Sequence, residues 1–230
     1  MDSAPEMGSR DALVGAEEAY DLAAPFYDQW RWQALWRAAE LPFVIHQIRA
    51  RFRESPPRLL DDGCGTGWYV EQLAPFCAEV AGIDVSAGML ERARDRAPQG
   101  ALLHADAREL PFPDQRFEVV FLARVLSHLP DADRALKEMA RVLTRGGLAI
   151  VTDVDAGHPY EHTRLPLAKG HVLARTFKHP RVLIERVLKD AGMTEVQSAL
   201  ISEAGETTPL AHLGEEADRS VAGWMSAWLK

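Results

Sequence analysis

The stretch Leu59-Leu60-Asp61-Asp62-Gly63-Cys64-Gly65-Thr66-Gly67 constrains the fold more than any other part of the sequence. Its leucines read as the end of an apolar strand, and its glycines at alternate positions form a turn that opens into a helical pattern from Trp68. Glycine has no Cβ, so backbone amides in such a turn can approach a ligand closely at the start of a helix. Glycines alone also suit a tight strand-to-helix turn that holds nothing.

The same alternation continues downstream. Short apolar runs at 58–61, 79–84, 101–106, 117–122 and 148–153 are separated by helical stretches at 68–76, 87–96 and 131–143, the last followed by Gly146-Gly147. Strands alternating with helices predict βα units and a mostly parallel sheet. After 155 the pattern changes to a segment bearing His, Pro and Thr. A helix at 180–191 follows, and then stretches at 194–202 and 221–229, expected as an antiparallel pair closing the sheet edge. Upstream, 16–52 reads as helical and unusually aromatic, and 1–12 as a loose tail. We therefore expect an N-terminal tail and helical lid over 1–56, and a main domain over 57–230 with an insertion at about 154–180.

Composition narrows the partners. At 230 residues the chain fits one domain, and 26 Lys and Arg against 34 Asp and Glu give a charge of -8. No basic block is present to neutralise phosphates, so nucleic acid is not an expected substrate. The start lacks the basic-then-apolar order of a signal peptide and no apolar run suffices to span a bilayer, which predicts a cytoplasmic location without membrane association. Cys64 and Cys77 suggest neither a disulfide framework nor a cysteine zinc site. The sequence leaves the oligomeric state open.

Three strand ends carry acids. Asp61, just before the glycine turn, repels phosphate and favours an ammonium group. Asp84 ends the next strand, where a carboxylate accepts from both hydroxyls of a ribose. Asp106 ends the third, where an acceptor suits the exocyclic amine of adenine. Asp62 reads either as a buried carboxylate with local partners, which we favour, or as a second ligand for the amine.

These motifs resemble those of class I S-adenosylmethionine-dependent methyltransferases, in the small-molecule branch similar to the ubiquinone and menaquinone enzymes. The resemblance begins at Leu59 to Gly67 and continues through Ile83-Asp84-Val85-Ser86 with Met89, His104-Ala105-Asp106-Ala107, Leu110 to Pro113 and Phe117-Glu118-Val119-Val120. It runs on through Ser127-His128-Leu129-Pro130 and Met139 to Leu143, ending at Arg145-Gly146-Gly147-Leu148, about half the chain in the expected order. It departs from the family pattern at Asp62, usually aliphatic, and Glu118, usually Asp.

The resemblance implies an α/β, Rossmann-like doubly wound, mostly parallel seven-stranded sheet with an antiparallel C-terminal strand and an N-terminal helical lid. It implies S-adenosyl-L-methionine as cofactor, with Asp61, Gly63, Cys64, Gly65 and Gly67 at its methionine end. Asp84, Val85 and Met89 then take the ribose and adenine face, Asp106 and Ala107 the adenine edge, and Ala123 the end of the fourth strand. The lid's tyrosines, Tyr20 and Tyr27, would add a hydroxyl near the methionine end; seven residues apart, they fall on roughly one helix face. An amphipathic helix packed on the sheet explains them equally well, and Trp32 and Trp36 are assigned to packing.

A sulfonium already activates its methyl group, so such an enzyme mainly aligns an acceptor and excludes water. His128 is the first choice of base, its ordinary pKa suiting proton removal near neutrality; a histidine that simply hydrogen-bonds its loop is as good an account. Arg124 suits a cofactor carboxylate or an acidic substrate, or is an exposed loop arginine. Asp155, His158, Tyr160 and His162, after the fifth strand, form the expected acceptor wall. No metal is expected there, because Gly157 and Pro159 disfavour the regular helix that would align the two histidines. The leading expectation is methylation of oxygen or nitrogen on a small, secondary metabolite. The alternatives are carbon methylation of a quinone or polyketide-like ring, and a binding protein or cyclase that keeps the cofactor without transferring methyl.

Overall fold

Strands buried on both faces are continuously apolar, and the central strands here have that character. The computed structural model describes residues 13–215 and 221–230. The expected loose tail lies outside them. The chain begins with β1 (Leu13–Val14), α1 (Ala16–Ala23) and α2 (Trp32–Arg51), then β2 (Arg58–Asp62), α3 (Trp68–Leu73), β3 (Glu79–Asp84) and α4 (Ala87–Arg96). It continues through β4 (Ala101–His104), β5 (Phe117–Ala123), α5 (Ala132–Val142), β6 (Leu143–Val154), β7 (Thr163–Pro166) and β8 (His171–Ala174). The last elements are α6 (Arg181–Asp190), β9 (Thr194–Ile201), β10 (Thr207–Leu210) and β11 (Gly223–Leu229).

The main sheet has eight strands in the order β10-β9-β11-β6-β5-β2-β3-β4. The pairings from β6 to β4 are parallel. Successive side chains of each strand point to opposite faces and feed two cores. Leu60, Val120 and Leu122 pack under α5 and α6; Leu59, Val119 and Phe121 pack under α2 and α3. Helix α5 buries Ala132, Ala135, Leu136, Met139 and Ala140, a 3-and-4 spacing that gives one apolar stripe.

The antiparallel strand differs in position from expectation. β11 lies between β6 and β9, not at the edge, with Gly223 opposite both Val154 and Ile201. Every residue from Gly223 to Trp228 is buried, so this strand needs cover on both sides. The edge falls instead to β10, an eighth strand that the sequence pattern did not suggest. Its Pro209 lacks an N–H, which an edge position tolerates.

The N-terminal segment is not one helix. Pro25 follows Ala24 and cannot continue α1, so a single 3₁₀ turn at Tyr27–Gln29 separates α1 from α2. Tyr20 and Tyr27 therefore do not share a helix face. Nor is the region purely helical: β1 pairs in parallel with β8, and β8 pairs antiparallel with β7. This small sheet buries Leu165, Val172 and Ala174 against Ala19 and Ala23 of α1. The segment before α1 and the 154–180 insertion are thus joined in one structure.

Candidate active site

The carboxyl ends of β2, β3, β4 and β5 open onto two neighbouring chambers. The first, of 340 Å³, is lined by the glycine turn, the ends of β2 to β5 and the start of α1. The second, of 360 Å³, lies between the lid, the end of β6 and the insertion. Tyr20, Tyr27, Arg124 and His128 line both and form the wall between them.

The turn's glycines have separate duties. A Cβ on Gly63 would lie 2.3 Å from Val125 Cγ2, and one on Gly67 would lie 2.9 Å from Ala93, so both permit close packing. A Cβ on Gly65 would meet only Tyr27, at 3.8 Å, yet its φ of 54° suits glycine. Gly65 is therefore the one whose bare backbone faces open space. Its N–H donates to Asp84 Oδ2 at 2.8 Å, while Ser86 N–H donates to Asp84 Oδ1 at 2.8 Å. Burial pushes Asp84 up to about 6 despite these bonds.

Of the expected cofactor residues, Tyr20, Tyr27, Gly63, Gly65, Asp84, Val85, Asp106, Ala107 and Ala123 line the first chamber. Asp61, Cys64, Gly67 and Met89 do not. Strand alternation explains the first of these: Asp62 lines the chamber while Asp61 points to the opposite face. Both are fully buried, and their carboxylate oxygens have no hydrogen-bond partner. Asp62 therefore lacks the local partners favoured from the sequence. Burial, then Asp106 and Asp84, push Asp62 up to about 8, and burial together with Asp62 raises Asp61 well above the carboxylate range. Cys64 packs against Gly82, and Met89 is wholly buried in α4. Asp106 is already held by Arg108, which donates to both its oxygens and keeps its pKa low.

The lid is fastened by the residues that follow its tyrosines. Asp21 Oδ1 accepts from Ser86 Oγ at 2.6 Å and Gly88 N–H at 2.9 Å, at the start of α4. Asp28 accepts from Thr66 Oγ1 at 3.0 Å and from Arg96 at 2.6 Å. The aspartates grip the glycine turn and α4 while the tyrosines face the chambers, their rings 5.6 Å apart. The repeated Tyr-Asp pair in the sequence was the available signal for both roles.

In the dividing wall, Tyr20 Oη lies 2.8 Å from His128 Nε2. His128 Nδ1 faces the Arg175 carbonyl at 3.4 Å. With Nδ1 protonated, Tyr20 donates to Nε2. Burial pushes His128 down to about 4 and raises Tyr20 well above 10, so the ring is neutral near pH 7 and the phenol keeps its proton. The expectation of a base with an ordinary pKa is thereby corrected. Arg124 holds a φ of 57°, rare for a non-glycine residue and typical of sites where side-chain direction matters. Its guanidinium donates to buried Glu40 of α2, which also accepts from Tyr69 and from Thr152 Oγ1. It is not an exposed loop arginine. Glu40 was missed because it sits in an otherwise apolar helical run.

His158, Tyr160 and His162 line the second chamber; Asp155 does not. Asp155 pairs with Arg181 at 3.0 Å and caps Gly157 N–H. Trp32 and Trp36, assigned to packing, also line this chamber, although Trp36 belongs to the core as well. Among the described residues no cluster of three His, Cys, Asp or Glu could hold a metal ion, and no helix is long and apolar enough to cross a membrane.

A glycine turn beside buried carboxylates at the ends of successive strands, on a doubly wound sheet, points to a class, and comparison with known proteins gives it. Residues 60–151 match the family described as Methyltransferase domain. The chain is 34% identical to the demethylmenaquinone methyltransferase of Bacillus licheniformis over 161 residues, 64% of this chain and 68% of that one. It is 35% identical over 138 residues to the biotin biosynthesis bifunctional protein BioHC of Cellvibrio japonicus, covering 59% of this chain but only 27% of that protein. Among solved structures, N-methyltransferase NodS from Bradyrhizobium japonicum, in complex with S-adenosyl-L-homocysteine, aligns with a TM-score of 0.64 at 19% identity, over 94% of this chain and 98% of that one. The chain belongs to the class I S-adenosylmethionine-dependent methyltransferases. Its cofactor is S-adenosylmethionine, and its fold is the Rossmann-like α/β fold of that class.

Proposed function

We propose that the protein methylates oxygen or nitrogen of a small metabolite bound in the second chamber, with the cofactor in the first. The observation that carries this reading is the shared wall: two chambers of similar size meet at Tyr20, Tyr27, Arg124 and His128. When bound, S-adenosylmethionine supplies an activated methyl group on a sulfonium centre.

The residues of the first chamber suit that group. Unpartnered Asp62 suits its ammonium group, and the bare backbone at Gly65 lets the methionine end approach closely. Asp84 would take the ribose hydroxyls, and Val85, Asp106 and Ala107 would flank the adenine. The lid, fastened by Asp21 and Asp28, would exclude water and place Tyr20 and Tyr27 beside the reacting centre. We place the functional division between a lid, formed by the residues before β2 together with the insertion, and the cofactor domain that holds the main sheet.

A second reading, methylation at a ring carbon, is favoured by one observation: His128, at about 4, is a weak base. Incubation with methyl-labelled cofactor and a panel of small hydroxylated, aminated and quinonoid compounds tests both readings. Label transfer with S-adenosylhomocysteine release is expected, and product fragmentation assigns the atom. Tight cofactor binding with no transfer to any compound would leave a binding protein or cyclase.

A further inference from the structure

The second chamber has a chemical character that overall composition does not explain. The chain carries 34 Asp and Glu, yet among the described residues lining this chamber there is none. Its charged lining is instead Arg31, Arg124 and Arg164. Arg31 lies with its guanidinium 4.7 Å over the Trp32 ring, a placement that keeps its charge at the chamber beside a flat apolar surface. Arg124 uses one nitrogen on Glu40 and stands 5.3 Å over the Trp36 ring. The wall also presents six tyrosine and tryptophan rings: Tyr20, Tyr27, Trp30, Trp32, Trp36 and Tyr160. His162, also in the wall, carries a buried Nδ1 with no partner.

We propose that the methyl acceptor is a planar aromatic molecule bearing an ionised acid group, its ring held among the lid's tyrosines and tryptophans and its charge facing Arg31 and Arg124. This rests on the assignment of the second chamber to the acceptor. A protonated amine there would meet Arg31 with no carboxylate among the described lining residues to offset it, in addition to the sulfonium next door. An aliphatic chain would leave the stacking surfaces without a partner. An acid-bearing ring satisfies both the flat walls and the arginines, whose fork geometry suits carboxylate.

Calorimetric titration in saturating S-adenosylhomocysteine tests the proposal with matched probes: 4-hydroxybenzoate, 4-hydroxycinnamate and 1-hydroxy-2-naphthoate, their carboxamides, and cyclohexanecarboxylate. At least one aromatic acid is expected to bind about tenfold or more tightly than both its carboxamide and cyclohexanecarboxylate. In Arg31→Gln that preference is expected to shrink at least about fivefold, while affinity for S-adenosylhomocysteine and for the carboxamide is unchanged. Carboxamides binding as well as acids, cyclohexanecarboxylate matching the rings, binding by no probe, or a preference indifferent to Arg31→Gln would each overturn it. An acid preference without methyl transfer to any compound would remove the proposed reaction and keep the second chamber only as a binding site for aromatic acids; methyl transfer without the preference would keep the reaction and overturn this inference.

Discussion

The two chambers share four side chains and differ in almost everything else. The first draws its walls from the ends of regular strands and includes Glu17, Asp62, Asp84 and Asp106. The second draws its walls from the lid, the turn after β5 and the insertion, and has aromatic rings and arginines but no acid among its described residues. The first sets four acids against Arg108 and Arg124, the second three arginines against none, so the balance favours a cation on one side and an anion on the other. Methyl transfer from a sulfonium to an electron-rich acceptor has that polarity, so the contrast in charge is itself part of the functional argument.

The wall between the chambers is where the contrast is easiest to break. Glu40 neutralises Arg124 in a buried cluster, with side-chain exposures of 0% and 12%. Replacing Glu40 by Ala leaves a buried guanidinium without its carboxylate and removes the acceptor for Tyr69 and Thr152. We expect a loss of roughly 3–5 kcal/mol in denaturant unfolding. A loss under about 1 kcal/mol would mean that Arg124 finds water or another partner and that the wall is softer than drawn.

Next in size is Asp84→Asn. The new amide keeps one acceptor oxygen but turns donors toward backbone N–H groups of Gly65 or Ser86, and it loses the charge that faces a ribose. Affinity for S-adenosylhomocysteine is expected to fall about 100-fold, roughly 2.7 kcal/mol, by calorimetry. An unchanged affinity would place the cofactor outside the first chamber.

This asymmetry also explains how much was legible in the sequence. The first chamber hangs on β2, β3, β4 and β5, whose apolar runs and terminal acids are local signals, so the residue pattern alone suffices to place Asp84, Asp106 and the glycine turn. Which of Asp61 and Asp62 faces the cavity was not legible, because register by one residue exchanges the faces and both positions are acidic. The second chamber depends on contacts between distant segments. The two-residue β1 pairs with β8 some 160 positions later, and a run as plain as Thr163–Pro166 gives no hint of its place beside the lid. Pro25 was visible in the sequence and was the cue that Tyr20 and Tyr27 sit on separate elements, but their meeting across the break is tertiary.

The unpartnered acid of the first chamber makes stability depend on pH. Asp62, buried and flanked by Asp106, Asp84 and Glu138, titrates at about 8 in the folded chain, against an ordinary value near 3.8. Between those values the folded protein holds a proton that the unfolded chain has lost. Stability of the cofactor-free protein therefore falls as pH rises from about 4 toward 8, and levels off above it, with a slope of at most about 1.4 kcal/mol per pH unit from this group. Asp84, at about 6, adds to the lower part of that range. Urea unfolding at pH 6, 7 and 8 should show the decline, and Asp62→Val should flatten it between pH 7 and 8. An equally steep decline in the variant would assign the effect elsewhere, Asp61 first.

The smallest expected effect concerns the proton. If His128 were a general base, its loss would cost about 10²–10⁴ in kcat and erase a limb of the pH profile. The structure instead makes it a neutral hydrogen-bond acceptor for Tyr20, at 2.8 Å, within a wall that both chambers share. Tyr20→Phe and His128→Asn should each lower kcat by about fivefold or less, under about 1 kcal/mol, and leave the profile above pH 6 unaltered. The pair should also be non-additive, since either change removes the same bond. A loss beyond about 100-fold in His128→Asn alone, with a vanished inflection between pH 5 and 8, would restore the base and favour the oxygen or nitrogen acceptor over the ring carbon.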